Sequence, residues 1–557
     1  MSRQFLNGDE LRAALLRGVN TLADAVTCTL GPHGRNVIFE RNPMWPPHVS
    51  KDGVSCAKEV RDLADPWENA GAQLIREAAS KTSDVAGDGT TTSTLLAQVI
   101  YQKGLAALAR GANPVALKRG IDAAVSIVVG HLRSIAQPVL DVETIARVGT
   151  IASNGDSFIG QLLADVMAEV GRDGVITVSE SADAETTKQV VQGMQIDRGW
   201  LAAPFVTDPE RLEAVLENPY IFITERKMFT VTPELDVVLA EVGKQGRPVL
   251  IVAADYEQPF VVALIHNKQL GVLQSLAVKA PAFGEERRLE LEDIAIVTGG
   301  FAFTENCGRA LSSITIEDLG QAQRVVAHKH DAGGTTTIIG GRGDKTLKEA
   351  RIKLLRSLIP ATENDHQREL MKRRLARLAS GVAVIKVGAV TDGERREKMD
   401  RVDDAVCATK AAVEEGIVPG GGKALLSAIR KIERTGVMFD GAPEDELAGV
   451  DIIRESLEAP LRKILANAGI SEQKKMGWFG FWEHPSQVDN VVQIVRLGGE
   501  VKPNFGYDAA KDQYVDLVKA GVIDPVKVVR CAIQNAASVA ALLLTTEAMV
   551  STIPEKK

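Results

Sequence analysis

The period of the hydrophobic pattern changes twice along this chain, and that constrains the fold more than any other feature. From Glu10 to Ala136 the apolar residues recur at helical spacing, with Leu11, Leu15, Val19, Leu22 and Val26 on one stripe of the first helix. Beyond Gly193 the texture becomes α/β. The expected strands are Tyr220–Thr224, Val249–Ala253, Leu273–Val278 and Ala295–Thr298, and the expected helices 233–245, 259–268 and 286–294. A charged helical stretch from Lys345 to Arg377 follows, interrupted near Pro360, then the strand Val382–Val387 and a long helix from Glu394 to Glu415. The rest reads as helical up to Val550, apart from an irregular stretch between Gly469 and Tyr507. Helical ends around an α/β middle imply a discontinuous domain with an insertion. At 557 residues the chain is too long for a single core.

Composition removes several classes of function. A net charge of −8 disfavours general nucleic-acid binding, so any anion site has to be built locally. Aromatic residues make up only 4%, which suits helices packed through small side chains. Cys28, Cys56, Cys307, Cys407 and Cys531 show no ligand spacing and read as reduced thiols. His328 and His330 form the closest histidine pair, a weak metal signal. Charges interrupt the first twenty residues and no membrane-length apolar segment is expected elsewhere, so the reading is cytoplasmic, with no membrane and no nucleic-acid partner.

The local motif with the most chemistry is Gly87-Asp88-Gly89-Thr90-Thr91-Thr92, directly before an apolar helix. Glycines admit a ligand close to the backbone, and threonines at a helix start offer N–H and hydroxyl donors to an anion. Asp88 suits such a site if it holds Mg²⁺, which takes carboxylate together with phosphate oxygens. Those six residues read equally as a tight turn before an N-capped helix. Asp52, in Lys51-Asp52-Gly53, lies on a turn after an expected hairpin (36–40 with 49–50), and its interest depends on lying near Asp88.

Together these motifs resemble the group I chaperonins, the GroEL type, along essentially the whole chain. Ala411 to Gly422 (AAVEEGIVPGGG) is similar to the family signature; Thr29-Leu30-Gly31-Pro32, Lys51–Gly53, Gly87–Thr92 and Val382–Gly388 match in the same order. There is no GxxxxGK[ST] loop. The resemblance implies a mainly α fold with α/β content in three domains. These are a discontinuous helical equatorial domain (1–135 and 416–557), a small intermediate domain (136–192 and 382–415) and an inserted α/β apical domain (193–381). It implies seven-membered homo-oligomeric rings, a GroES-like lid partner and non-native polypeptides as clients. Gly193, Gly381 and Gly416 match hinge positions.

The same resemblance implies ATP, Mg²⁺ and K⁺ as cofactors. Asp52 and Asp404 would be catalytic, with Asp404 brought in by a moving helix, and Asp88 would bind the metal. Thr29, Leu30, Gly31, Pro32, Lys51, Gly87, Gly89, Thr90, Thr91 and Thr92 would surround the nucleotide. Ile151, Gly420, Gly421, Asp508, Ala509, Ala510 and Asp524 would complete its pocket. Trp200, Leu201, Phe205, Leu239, Val261 and Ile265 would present an apolar client groove. Several positions depart from the pattern: Asp236 and His266 are polar at groove positions and Pro204 replaces an aromatic. Arg110 and Ile470-Ser471 alter ring–ring contact positions, which makes a weakened or single ring a live hypothesis. The C-terminus lacks the Gly/Met-rich tail. The added Met476–Trp482 segment reads as a partner contact, a self-association contact or, the favoured reading, a loop tucked onto its own domain. The rival functions are a non-cycling holdase or scaffold, and a chaperonin dedicated to one client.

Overall fold

The structure is a computed structural model. It describes residues 3–40, 48–139, 141–171, 174–181, 183–191, 193–209, 211–328, 334–362, 364–379, 381–435, 442–473, 475–476 and 483–552. The chain forms two compact units, one from Met1–Asp165 with Thr391–Lys557 and one from Val166–Val390. A discontinuous unit with an insertion is what the periodicity implies, but the insertion begins at Val166, before the change of texture at Gly193.

The first unit is helical. Helix Gly8–Thr27 buries Leu11, Leu15, Val19, Leu22 and Val26, against helix Pro66–Ala86, which starts where the Asp65 carboxylate accepts a hydrogen bond from the Trp67 N–H. The two helices approach through glycine: a Cβ on Gly18 would lie 1.8 Å from the Glu68 carbonyl oxygen, and one on Gly71 2.2 Å from that of Leu15. Small side chains therefore set the helix spacing here. Helix Val526–Leu544 is long and apolar enough to span a membrane, contrary to the sequence expectation, but it is 67% buried and forms the core beside helices Pro66–Ala86, Thr90–Ala109 and Pro114–Ser134.

Two further expectations for this unit need correction. The final helix stops at Leu544, and Ala548–Thr552 pairs antiparallel with Arg3–Asn7 near the start of the chain. A strand bonded to the opposite end of the sequence has no local signature. The stretch 469–507 is not irregular throughout: helix Gln487–Val501 opens on a capping box between Ser486 and Asp489. Before it, Lys475–Met476 pairs with Glu483–His484; Gly477 to Trp482, the rest of the added aromatic segment, lie outside the described residues.

In the second unit a parallel sheet runs in the order Ser275–Lys279, Val249–Ala253, Tyr220–Thr224, Ala302–Phe303, with Gly320–Gln321 antiparallel on the Tyr220 strand. An antiparallel sheet of Gly193–Ile196, Thr335–Ile339, Arg324–His328 and Glu213–Glu217 accompanies it. A third sheet sets Val382–Val387 between Val175–Glu180 and Thr187–Val191. The expected strand 295–298 is instead the last turn of helix Gly284–Thr298, ended by Gly299 in the left-handed region. Leu291, Ile294, Ala295, Val297 and Thr298 are all buried, so the short apolar run carried no period to distinguish helix from strand. Asp293, 1% exposed, accepts two hydrogen bonds from Arg374 and one from Arg351, tying helices Lys345–Leu358 and Asp365–Ala379 to this one.

Candidate functional site

Gly87 and Gly89 make the turn between helices Pro66–Ala86 and Thr90–Ala109. Gly87 closes the first helix at φ 71°, its N–H donating to the Ser83 carbonyl, and Gly89 begins the second at φ 81°. Both need a backbone that residues with a Cβ adopt only at a cost. Neither has room for one: a Cβ on Gly87 would lie 2.1 Å from Cys407 Cβ, and one on Gly89 2.6 Å from Val528 Cγ1. Asp88 sits between them, its Oδ1 accepting from the Gly89 N–H.

Four distant segments converge on this turn. Gly53 rests on the start of the Thr90 helix, where a Cβ would lie 2.2 Å from Thr91 Oγ1. Asp52 precedes it, its Oδ2 accepting from the Ser55 N–H at 2.7 Å. Thr29 brings its hydroxyl within 3.4 Å of that of Thr91. The 27–30 turn is held by Asn467, whose Nδ2 donates to the Thr27 and Leu30 carbonyls at 3.0 and 2.9 Å. Helix Asp392–Glu415 contributes Asp404 one turn from Cys407, so the contact with Gly87 fixes where that carboxylate stands. Asp524 arrives on strand Ile523–Pro525, paired with Val418, and its Oδ1 lies 3.0 Å from where a Gly420 Cβ would be.

The electrostatics of this assembly are those of crowded carboxylates. Burial, then the like charges of Asp52 and Asp88, push Asp404 well above the usual carboxylate range. Burial raises Asp88 too, opposed by the Gly89 N–H and reinforced by Asp52. Asp524 is pushed up to about 7 by burial and by Asp88. Every one of these shifts would be relieved by added positive charge. Among the described residues no three His, Cys, Asp or Glu side chains gather as a ready metal set. The donors fit a hard cation that takes one or two carboxylates here and completes its shell with phosphate oxygens or water.

The remaining nucleotide candidates fall around the same turn or at its edges. Strands Phe505–Asp508 and Gln513–Asp516 form a hairpin whose tip carries Ala509 and Ala510. Asp508 is buried, and its Oδ1 accepts from the Ala510 N–H. His33 Nε2 lies 3.0 Å from the Ala509 carbonyl oxygen, which joins this tip to the Gly31–Pro32 loop. Lys51 is lowered chiefly by burial, with Glu397 opposing and Arg401 reinforcing. Ile151, 37% exposed, lies at the end of helix Val142–Ala152, which packs on the Asp524 strand. Asn467, Cys407 and Val528 hold the site together without being legible as site residues. Their partners lie far away in sequence, and no local pattern marks them.

A model of the TCP-1/cpn60 chaperonin family matches residues 22–554. The chain belongs to this family. Its fold is also that of the chaperonin gp146 from the bacteriophage EL 2 (Pseudomonas aeruginosa), whose crystal structure was obtained in the presence of ATP-BeFx. The similarity has a TM-score of 0.68 at 20% identity and covers 99% of each chain.

In the second unit of this chaperonin the expected client groove is only partly present as surface. Phe205 is fully buried and Leu239 is 5% exposed. Both belong to the core, Phe205 because a short 3₁₀ turn, Ala203–Phe205, carries it inward, and Leu239 because it shares the inner face of helix Pro233–Lys244 with Leu235 and Val242. Trp200, Leu201, Val261 and Ile265 are half-buried against the same core. The indole N–H of Trp200 donates to the Leu212 carbonyl. The apolar side chains most exposed on the two helices are instead Val237 at 68% and Val262 at 55%, with Asp236 and His266 also exposed.

Proposed function

We propose that this chaperonin binds ATP at the Gly87–Thr92 turn and uses its hydrolysis to drive the capture and release of non-native polypeptides. The observation that carries the reading is the convergence of Asp52, Asp88, Asp404 and Asp524, from four distant segments, on a helix start rich in anion donors. Carboxylates crowded where phosphates are to bind make sense only with cations between them. Asp88 would hold Mg²⁺, with K⁺ as a second neutralising ion. The metal supplies charge neutralisation of the phosphates and of the leaving oxygen.

The protein's own groups carry the other roles. The N–H and hydroxyl groups of Thr90, Thr91 and Thr92 hold phosphate oxygens. Asp52, steadied by the Ser55 N–H, orients the attacking water, and Asp404 takes its proton. Gly420, Gly421, Asp508, Ala509, Ala510 and Asp524 surround the nucleoside, with Thr29 to Pro32 and Lys51 opposite and Ile151 at the rim. Asp404 reaches the turn only while its helix rests on Gly87, so movement of that helix gates hydrolysis. The intermediate segments proposed for this movement are 136–192 and 382–415, and the equatorial and apical limits are those of the sequence reading. Val237, Val262, Trp200, Leu201, Val261 and Ile265 supply client surface on the apical part, within a homo-oligomeric ring of seven that a GroES-like partner closes.

Phosphate release and refolding of a denatured client test this. Wild type should turn over ATP steadily and refold client only with ATP, and Asp404→Ala should still bind nucleotide while losing turnover. Client binding and release indifferent to nucleotide would establish the holdase reading instead.

A further inference from the structure

Lys423 takes no part in the chemistry above, yet it is an unusual residue to find in a core. It is the first residue of helix Lys423–Thr435, directly after Gly420-Gly421-Gly422, and is 3% exposed. Its Nζ donates to the Val495 carbonyl at 3.3 Å. Burial lowers its pKa to about 8, and its charge helps to lower that of His131. A buried ammonium is costly where an apolar side chain of similar length would pack. What receives it is the C-terminal end of helix Gln487–Val501, where the helix dipole favours a cation.

Gly499 makes the space. A Cβ there would lie 1.9 Å from Lys423 Nζ and 2.9 Å from Cε, with no other atom among those within 4 Å. A side chain at 499 would therefore meet the tip of Lys423 first. Their pairing joins two parts of the proposed nucleoside pocket. On one side the Lys423 N–H closes the glycine turn on the Gly420 carbonyl at 3.1 Å, while the Gly420 N–H donates to Val522 beside Asp524. On the other side Gly498, next to Gly499, meets the ring of Phe505, the residue that opens the strand leading to Asp508, Ala509 and Ala510.

We propose that Lys423 is a positioning residue for nucleotide binding. Its ammonium, seated in the gap left by Gly499, clamps the 420–422 turn to the helix and hairpin that carry Asp508–Ala510. The proposal rests on the nucleotide site argued above. Gly499→Ala is the sharper probe, because its methyl meets only the flexible tip of Lys423 and improves helix propensity. Lys423→Met removes the charge and keeps the length.

Calorimetric titration of the full chain with ADP in Mg²⁺ buffer, with urea unfolding alongside, tests it. The dissociation constant should rise about tenfold in each single variant, with the double variant no weaker than the worse single one. The unfolding midpoint of Gly499→Ala should be no lower than that of wild type. ADP binding within about twofold of wild type in Gly499→Ala overturns the inference, as does a loss of affinity that merely follows a loss of stability. Wild type that binds no ADP removes the nucleotide site itself, a failure visible before any variant is measured.

Discussion

Gly87→Ala should disable hydrolysis more than it disables nucleotide binding. The new methyl group would sit 2.1 Å from Cys407 Cβ, and carbon atoms in contact need about 3.6 Å, so something must move by roughly 1.5 Å. The Pro66 and Thr90 helices are packed on either side of the turn and more extensively on the Val526 helix than the Asp392 helix is, so the Asp392 helix is the element expected to yield. Asp404 stands three residues from Cys407 on that helix and would be carried away with it. A displacement of that size at a catalytic group costs up to about a hundredfold in rate. The left-handed backbone adds roughly 1–2 kcal/mol of strain and the overpacking about 1–3 kcal/mol. Steady-state phosphate release should therefore fall ten- to a hundredfold, or about 1.4–2.7 kcal/mol in the barrier. ADP affinity, set by groups on the unmoved side, should change much less. Hydrolysis within about twofold of wild type would show that the contact does not place Asp404, and the gating argument would fall with it.

Other perturbations follow from the same geometry. Asp524 has a folded pKa of about 7, above its unfolded value of about 3.9, so its protonation stabilises the native state; that contribution is complete below the unfolded pKa and lost as pH rises through 7. Asp88 and Asp404 shift in the same direction. Without nucleotide or metal, the unfolding free energy from urea curves should therefore rise as pH falls from 8 towards 5, by at most about 1.4 kcal/mol per pH unit per group. Asp524→Asn should flatten part of this slope, and an unchanged slope would remove Asp524 as its source. Asp293→Ala, which leaves Arg374 and Arg351 without their shared carboxylate, should cost the second unit about 3–5 kcal/mol in urea unfolding while sparing ADP binding. Asn467→Ala removes two hydrogen bonds from the Thr27–Leu30 turn and should raise KM for ATP with little change in kcat; the reverse pattern would place that turn in the chemical step.

The elements legible in the sequence were those with a strong local signal. Strands Tyr220–Thr224, Val249–Ala253 and Val382–Val387 appear at the expected residues because turns bound each buried run. The glycine turn at 87–89 was legible because its residues serve no other backbone well. The misread turn 295–298, the strand 548–552 and the burial of Phe205 and Leu239 share another cause. In each the deciding partner is remote: the sheet packed beside a helix, the opposite terminus, or the core behind a groove.

What the sequence determined by itself was the set of groups: glycines where the chain must turn, threonines to donate, four aspartates spread from 52 to 524, and an α/β insert between helical ends. Tertiary structure alone decided that Cys407 rests on Gly87 and Asp404 lies near Asp88, that Asn467 holds a turn 440 residues upstream, and that Lys423 and Gly499 fit one another. Period and turn chemistry act between neighbours in the chain and can be read from them. Burial, like-charge repulsion and the fit of an ammonium into a missing side chain act between neighbours in space, which exist only once the helices have packed.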